Sequence, residues 1–212
     1  MARSTPRVAL FGGTFDPIHR GHLAVAHAAL GSGLVDEVRF IPAGNPPHKP
    51  QGPRQTPEER WCMAVLATLD EPRFRVERWE IDRPGRSYAI DTLQQARAAL
   101  GQAELYWVIG ADAMALIHTW HRAQELFDWT RFLVIPREGV DEAHLRPTLA
   151  EVAPWAPDEG LCFMAMPRVD VSSTTLRERL AAGDACTDDL PAPVATYIGR
   201  YGLYQAPQEV RS

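Results

Sequence analysis

"RVALFGGTFDPIHRGHLAVAHAALG", residues 7–31, decides how this chain is read. It begins as an apolar strand, turns at Gly12 and Gly13, and runs into an alanine-rich helical pattern that ends on Gly31. The strand lacks polar alternation, which suits a strand buried on both faces. Glycines at its end allow positive φ and let a ligand approach the backbone. Asp16 is placed to cap the following helix, with Pro17 in its first turn. A helix start offers free N–H groups and a partial positive charge, a natural seat for phosphate. His19 and His22 stand three apart in that turn and share a face, with Gly21 keeping the approach open. Two imidazole donors beside an anion-binding helix end would grip a polyphosphate.

Other meanings of this stretch fit less well. A metal pair needs a third ligand, and none follows at a recognisable spacing. No GK[ST] follows the glycines, so the loop is not a Walker A loop, and the dinucleotide GxGxxG pattern is absent too. "GSGLVD" at 31–36 is a helix end that only imitates it.

Outward from this junction the pattern repeats. Strand-like runs are predicted at 7–13, 37–43, 73–81, 104–110, 131–136 and 160–166. Helical patterns lie between them. "TPEERWCMAVLATLD" (56–70) carries Thr56 as N-cap, Pro57 at the first helical position and Glu59 completing a capping box. "YAIDTLQQARAALG" (88–101) ends on Gly101, a C-cap residue. A shorter pattern covers "ADAMALIHTW" (111–120), and "SSTTLRERLAAG" (172–183) and "LPAPVATYIGRYGLY" (190–204) close the chain. Such alternation predicts an α/β, doubly wound, mainly parallel sheet with helices on both faces. The stretch from about 137 to 160 is the least regular and reads as peripheral.

Composition bounds the partners. The chain has 212 residues, which suits a single domain over 1–212 with a small helical part from about 172. Apolar residues make up 45% and charged residues 23%, ordinary for a chain that buries a real core. A net charge of −5 argues against a protein that coats nucleic acid. No run is long and apolar enough for a membrane span. "MARSTPR" shows no secretory h-region, and Cys62, Cys162 and Cys186 are scattered, which together predict a cytoplasmic protein with reduced thiols. A homo-oligomer stays open. Of 22 basic side chains only Lys49 is a lysine. A site needing a compact point charge would keep one.

Four further stretches carry chemistry. "VDVSSTTLRERL" sets Ser172, Ser173 and Thr174 at a helix start and Arg177 one turn in, a second anion site. "GNPPHKP" is a proline-stiffened loop from which Asn45 and Lys49 could reach a phosphate. "RSYAIDTL" offers the backbone N–H groups of Tyr88 and Ala89 at a helix start to a carboxylate. "VIGADAMALIHTW" ends a strand at Gly110, places Asp112 where it could accept ribose hydroxyls, and carries Trp120 eight residues on. The other five tryptophans read as core or partly exposed residues.

"GGTFDPIHRGH" resembles the signature of the HxGH nucleotidyltransferases. With "NPPHK", "SYAIDTL", "GADAMALIHTW" and "VSSTTLR" in the same order, the chain resembles the bacterial nicotinate-nucleotide adenylyltransferases from residue 7 to about 204. The resemblance implies a Rossmann-like fold and the joining of ATP to nicotinate mononucleotide, with Mg²⁺ accompanying the triphosphate. It implies that His22, His19, Lys49 and Arg177 act on the phosphates. ATP would be bound by Gly12, Gly13, Thr14, Phe15, His19, His22, Gly110, Asp112, Arg137, Ser172, Ser173, Thr174 and Arg177. The mononucleotide would meet Asp16, Asn45, Lys49, Tyr88, Ala89 and Trp120, the indole stacking on the pyridine ring. A threonine often stands in that family where Ala89 stands here, and a proline where Glu138 stands. Another HxGH transferase, taking nicotinamide mononucleotide or phosphopantetheine, and a non-catalytic nucleotide-binding module remain as alternatives.

Overall fold

Alternation of buried residues along the first strand sets the layers of this computed structural model, which describes residues 5–47, 52–136, 142–152, 160–166 and 171–205. In β1 (Arg7–Gly13) Val8 and Leu10 point into one apolar cluster, while Ala9 and Phe11 point into another on the opposite face. β1 is therefore central, flanked by β2 (Glu37–Pro42) and β4 (Glu104–Gly110). With β3 (Phe74–Val76), β5 (Arg131–Ile135) and β6 (Leu161–Phe163) it makes a six-stranded sheet in the order β3-β2-β1-β4-β5-β6, every pairing parallel. This is the doubly wound order, and it reverses between β1 and β4.

Helices cover both faces. α1 (Arg20–Gly31), α2 (Pro57–Thr68), α7 (Ser173–Ala181) and α8 (Ala192–Tyr201) share the Phe11 cluster through Ala26, Met63, Leu176 and Ile198. α3 (Ala89–Leu100), α4 (Ala111–Ala115), α5 (Ala123–Trp129) and α6 (Glu142–Val152) share the Leu10 cluster through Leu93, Met114, Leu126 and Leu145. Each of these leucine, isoleucine and methionine side chains, when fully buried, contributes about 1.5–3 kcal/mol. The expected caps form. Thr56 Oγ1 accepts from Glu59 N (3.3 Å), and the Glu59 carboxylate accepts from Thr56 N (2.9 Å). Gly101 ends α3 at φ +59°, donating its N–H to Arg97 O.

Several boundaries differ from the sequence reading. The strand expected over 73–81 stops at Val76, because residues 78–82 turn back on themselves, with Ile81 N and Asp82 N both donating to Arg78 O. The last strand spans 161–163 instead of 160–166. The helical pattern over 111–120 breaks into α4 and a 3-10 turn (Ile117–Thr119). α5 was not anticipated. Nor was α6, whose internal Pro147 reads as a breaker. Leu145 and Val152 on α6 are nonetheless buried, so packing overrides local propensity there.

The turn after β3 carries a buried polar knot. The Glu80 carboxylate, 6% exposed, accepts from Thr92 Oγ1 on α3 at 2.6 Å, and Arg83 Nη2 donates to the same hydroxyl at 3.0 Å. The Ser87 hydroxyl also hydrogen-bonds to Glu80. On the backbone side, a Cβ added at Gly44 would lie 2.1 Å from Glu80 O. The loop after β2 thus presses against the turn after β3 with no room for a side chain.

That contact makes Gly44 a sensitive position. Gly44→Ala should lower unfolding stability by more than about 3 kcal/mol, because rigid backbone cannot give way. Gly31→Ala, at an open helix end, should be neutral or stabilise by about 0.5–1 kcal/mol. Urea titration of both variants measures the contrast. Burial also pushes the Glu80 carboxyl above its ordinary value of 4.5, so the folded state holds the proton more tightly than the unfolded state. Stability then falls as pH rises from 4.5 through the raised folded value. Glu80→Gln removes this dependence. The melting temperature of the variant relative to the natural protein should climb as pH rises above 4.5, and a constant difference would refute the assignment.

Candidate active site

At the reversal point between β1 and β4, a cleft of about 560 Å³ opens over the carboxyl ends of the strands. Gly12 and Gly13 from β1, Gly110 from β4, and Tyr88 and Ala89 at the start of α3 line it, as does Trp120. All six were among the residues expected to touch a nucleotide. The glycines are there for aromatic rings. A Cβ at Gly12 would come within 3.1 Å of the Trp107 ring, and one at Gly13 within 2.8 Å of the Phe15 ring. Trp107 is more than a core residue, since it walls the cleft and meets the Trp120 ring edge to face, 6.5 Å between centroids and 83° between planes. Tyr88 and His121 stack across the mouth at 4.4 Å and 33°. An electron-poor heteroaromatic ring suits such walls.

The turn beyond Gly13 leads to the histidines. Phe15 adopts φ +50° and its ring is buried, edge-on to Phe11 and to His22. Only the backbone of Phe15 therefore faces a ligand. His19, 6% exposed, is the N-cap of α1, and His22 is the third helical residue. Their rings lie 3.7 Å apart between centroids. His19 N donates to His22 Nδ1 at 3.2 Å. An Nδ1 that accepts a hydrogen bond carries no proton, so the neutral His22 ring holds its proton on Nε2.

Asp16 does not cap α1, contrary to expectation. Its carboxylate is 2% exposed and accepts from Arg54 N (2.7 Å), Gln55 N (3.3 Å) and Tyr204 Oη (2.8 Å). Those three contacts use its oxygens to tie the β1 turn to the approach of α2 and to the chain's C-terminal end. Beside it lies Arg60 of α2, 0% exposed. The Arg60 guanidinium donates to the carbonyls of Gln55 (3.2 Å), Thr14 (2.7 Å), Ala43 (2.5 Å) and Gly44 (3.3 Å). Burial draws its pKa below the usual guanidinium value, and the Asp16 charge opposes the shift. Neither Arg60 nor Tyr204 was singled out from sequence. The signal for Arg60 was present, because it sits on the buried stripe of α2 with Met63, Ala64 and Thr68.

The second expected anion-binding stretch folds onto the first. Ser173 Oγ donates to Pro17 O at 3.0 Å, and Arg177 Nη1 donates to Asp16 O at 2.8 Å, across 161 residues of chain. Arg177 Nη2 donates to Thr174 Oγ1 at 3.1 Å, while Ser172 caps α7 by accepting from Thr175 N. The start of α7 is thereby held against the turn that leads into His19 and His22.

Other expected residues fare differently. Asn45 is exposed, and its backbone pairs with Ser87: Ser87 N donates to Asn45 O (2.9 Å) and Asn45 N to Ser87 Oγ (3.1 Å). This exchange brings the "NPP" loop beside the start of α3. Of the two N–H groups expected to read a carboxylate, that of Tyr88 already donates to Arg86 O at 3.1 Å. Asp112 is exposed in the first turn of the five-residue α4. Lys49 and Arg137 lie outside the described residues. Glu80, Arg86, Ser87 and His121 also line the cleft and were missed, since each sits on a turn whose position only the fold sets. Among the described residues no group of three or more His, Cys, Asp or Glu is arranged to hold a metal ion, and no helix is long and apolar enough to cross a membrane.

Residues 10–179 match the cytidylyltransferase-like family. A protein of Thermoanaerobacter sp. (strain X514) is 38% identical over 204 residues, 96% of each chain. One of Thermus thermophilus is 40% identical over 202 residues, covering 94% of this chain and all of its own. Both bear the name "Probable nicotinate-nucleotide adenylyltransferase". The nicotinic acid mononucleotide adenylyltransferase of Plasmodium falciparum, solved in complex with NaAD, superposes with a TM-score of 0.75 at 17% identity, covering 94% of this chain and 97% of that one. That match speaks for the fold, while the two sequence matches span nearly the whole chain at a level that carries family membership. The chain therefore belongs to the cytidylyltransferase-like family and, within it, to the nicotinate-nucleotide adenylyltransferases.

Proposed function

We propose that this protein joins ATP and nicotinate mononucleotide to give deamido-NAD and pyrophosphate. One observation carries the reading: Ser173 and Arg177 of α7 are hydrogen-bonded to the Pro17 and Asp16 carbonyls, in the turn that delivers His19 and His22. The start of α7, with its cation and hydroxyls, is tied to the turn that opens α1, and that turn continues from Gly12 and Gly13, which line an aromatic-walled cleft. A triphosphate tail fits the first and a pyridine ring the second. The names of the two bacterial relatives support the same substrates.

The chemistry needs no covalent enzyme intermediate. The 5′-phosphate of the mononucleotide is largely ionised near neutral pH, its second pKa being about 6. One of its oxygens attacks the α-phosphorus of ATP, the new P–O bond forms, and the bond to the β-phosphate bridging oxygen breaks in line. Pyrophosphate leaves with the electron pair. The protein positions the two phosphates and stabilises charge. His22 donates from Nε2–H to an α-phosphate oxygen, its tautomer held by His19 N. His19 supports the same oxygens. Arg177 keeps N–H donors beyond those on Asp16 O and Thr174, and with Ser172, Ser173 and Thr174 it takes the β- and γ-phosphates. Lys49 assists there.

Gly12, Gly13, Thr14 and Phe15 let the triphosphate approach backbone. Gly110, Asp112 and Arg137 serve the adenosine. Tyr88, Ala89 and Trp120 serve the pyridine, Asn45 places the neighbouring loop, and Asp16 contributes by holding the turn. Mg²⁺ belongs to the substrate as MgATP, held by phosphate oxygens and water. The Asp16 carboxylate, with its oxygens occupied by Arg54, Gln55 and Tyr204, is not offered to it.

The direct test is pyrophosphate release from ATP with nicotinate mononucleotide, nicotinamide mononucleotide or phosphopantetheine as acceptor. The acid mononucleotide should give the highest kcat/KM. Preference for phosphopantetheine, or no turnover with any of them, would overturn the assignment. In the same assay His22→Ala should lose about a hundredfold or more in kcat while keeping its melting temperature. Near-normal turnover by that folded variant would remove His22 from the reaction.

A further inference from the structure

The donors that remain at the pyridine end of the cleft pose a problem of selectivity. At residues 86–89, Tyr88 N–H is already committed to Arg86 O, and Ser87 N–H to Asn45 O. Ala89 has no hydroxyl. Of the two N–H groups expected to read a carboxylate, only that of Ala89 is left, one neutral donor. A neutral N–H accepts the carbonyl oxygen of an amide as a partner about as readily as an oxygen of a carboxylate. By itself it cannot separate nicotinate from nicotinamide.

One side chain at that edge can. Arg86 lines the cleft and is exposed, and no carboxylate among the described residues pairs with it. Its neighbour Arg83, by contrast, is engaged by Gln95 and Thr92. The cleft-lining carboxyl of Glu80 is turned into its own knot with Thr92 and Ser87. Among the described residues, Arg86 is therefore a permanently charged group left open at this edge of the cleft.

We propose that Arg86 determines the preference for the acid by pairing its guanidinium with the carboxylate on the pyridine ring. The inference rests on the reaction proposed above and names the residue that selects its acceptor. The physics favours the acid twice. A guanidinium gains a charge-assisted hydrogen bond to a carboxylate. It also has donors only, so it meets the NH₂ of an amide donor to donor. With no hydroxyl at Ala89 and the Tyr88 N–H occupied, this side chain adds a charge that the neutral N–H groups lack.

The test compares kcat/KM for nicotinate mononucleotide and nicotinamide mononucleotide in the natural protein, Arg86→Gln and Arg86→Lys. In Arg86→Gln the acid should lose about tenfold or more while the amide changes by less than about threefold, so the ratio collapses. Arg86→Lys should recover part of the ratio. KM for ATP should stay put in both, which separates selectivity from a damaged fold. Raising salt should erode the acid preference of the natural protein and leave that of Arg86→Gln unmoved, because an exposed pair is screened. Equal losses with acid and amide would mean that Arg86 meets the shared 5′-phosphate, and an unchanged ratio would mean that it meets neither group. Either result overturns the inference. Failure of the natural protein to use either mononucleotide would instead refute the reaction itself.

Discussion

Two buried charges, Arg60 and Asp16, hold the working end of the sheet together. Four carbonyls from three segments converge on the Arg60 guanidinium, and the Asp16 carboxylate gathers two backbone N–H groups and the Tyr204 hydroxyl. Loops at the carboxyl ends of parallel strands have many polar backbone groups and little regular structure to satisfy them. A planar donor fork on one side and a carboxylate acceptor on the other satisfy them directly. The cost is two buried charges, tolerable because each is hydrogen-bonded on several sides and their opposite charges attract each other. The result is a turn at 14–17 whose backbone is set before any ligand arrives.

From that fixed turn the rest of the site follows. Phe15 is pressed into the core, Gly13 must be glycine beneath it, and His22 packs edge-on against the same ring. The carbonyls of Asp16 and Pro17 point outward to receive Arg177 and Ser173. A protein of net charge −5 thus presents a local cluster of donors where a polyphosphate would sit. Long-range charge would not attract the substrate here. In the proposed reaction short-range geometry would hold it, which suits a reaction catalysed mainly by placement.

The pyridine end is built by different means. There the walls are rings, and the polar edge depends on the turn at 78–82 and its contact with Gly44. Gly44 leaves no gap between the loop after β2 and that turn, and the Glu80 knot anchors Ser87 and α3 from behind. The aromatic-walled cleft and the donor-lined turn are therefore built by separate contacts, linked by the Arg60 hydrogen bonds to Thr14 on one side and to Ala43 and Gly44 on the other.

Much of this could be read from residue order alone. Apolar runs without alternation announced strands buried on both faces, Thr56 with Glu59 announced a capped helix, and Gly101 its neighbour's end. These signals are local, each settled by a few adjacent side chains competing for their own backbone groups. The glycines, His19 and His22 were legible for the same reason, as one junction of strand, turn and helix. The length of β3, the helix around Pro147, the burial of Arg60 and the employment of Asp16 were not. Each depends on what packs against it from far along the chain. Asp16 looked like a cap because its neighbours are a helix, and became an anchor because Tyr204, 188 residues later, brings it a hydroxyl. Residue order thus determined the kinds of element and the chemistry at their junctions. Tertiary packing decided which donors stayed open to a ligand, because a hydrogen-bonding group is available only when no other part of the fold has already claimed it.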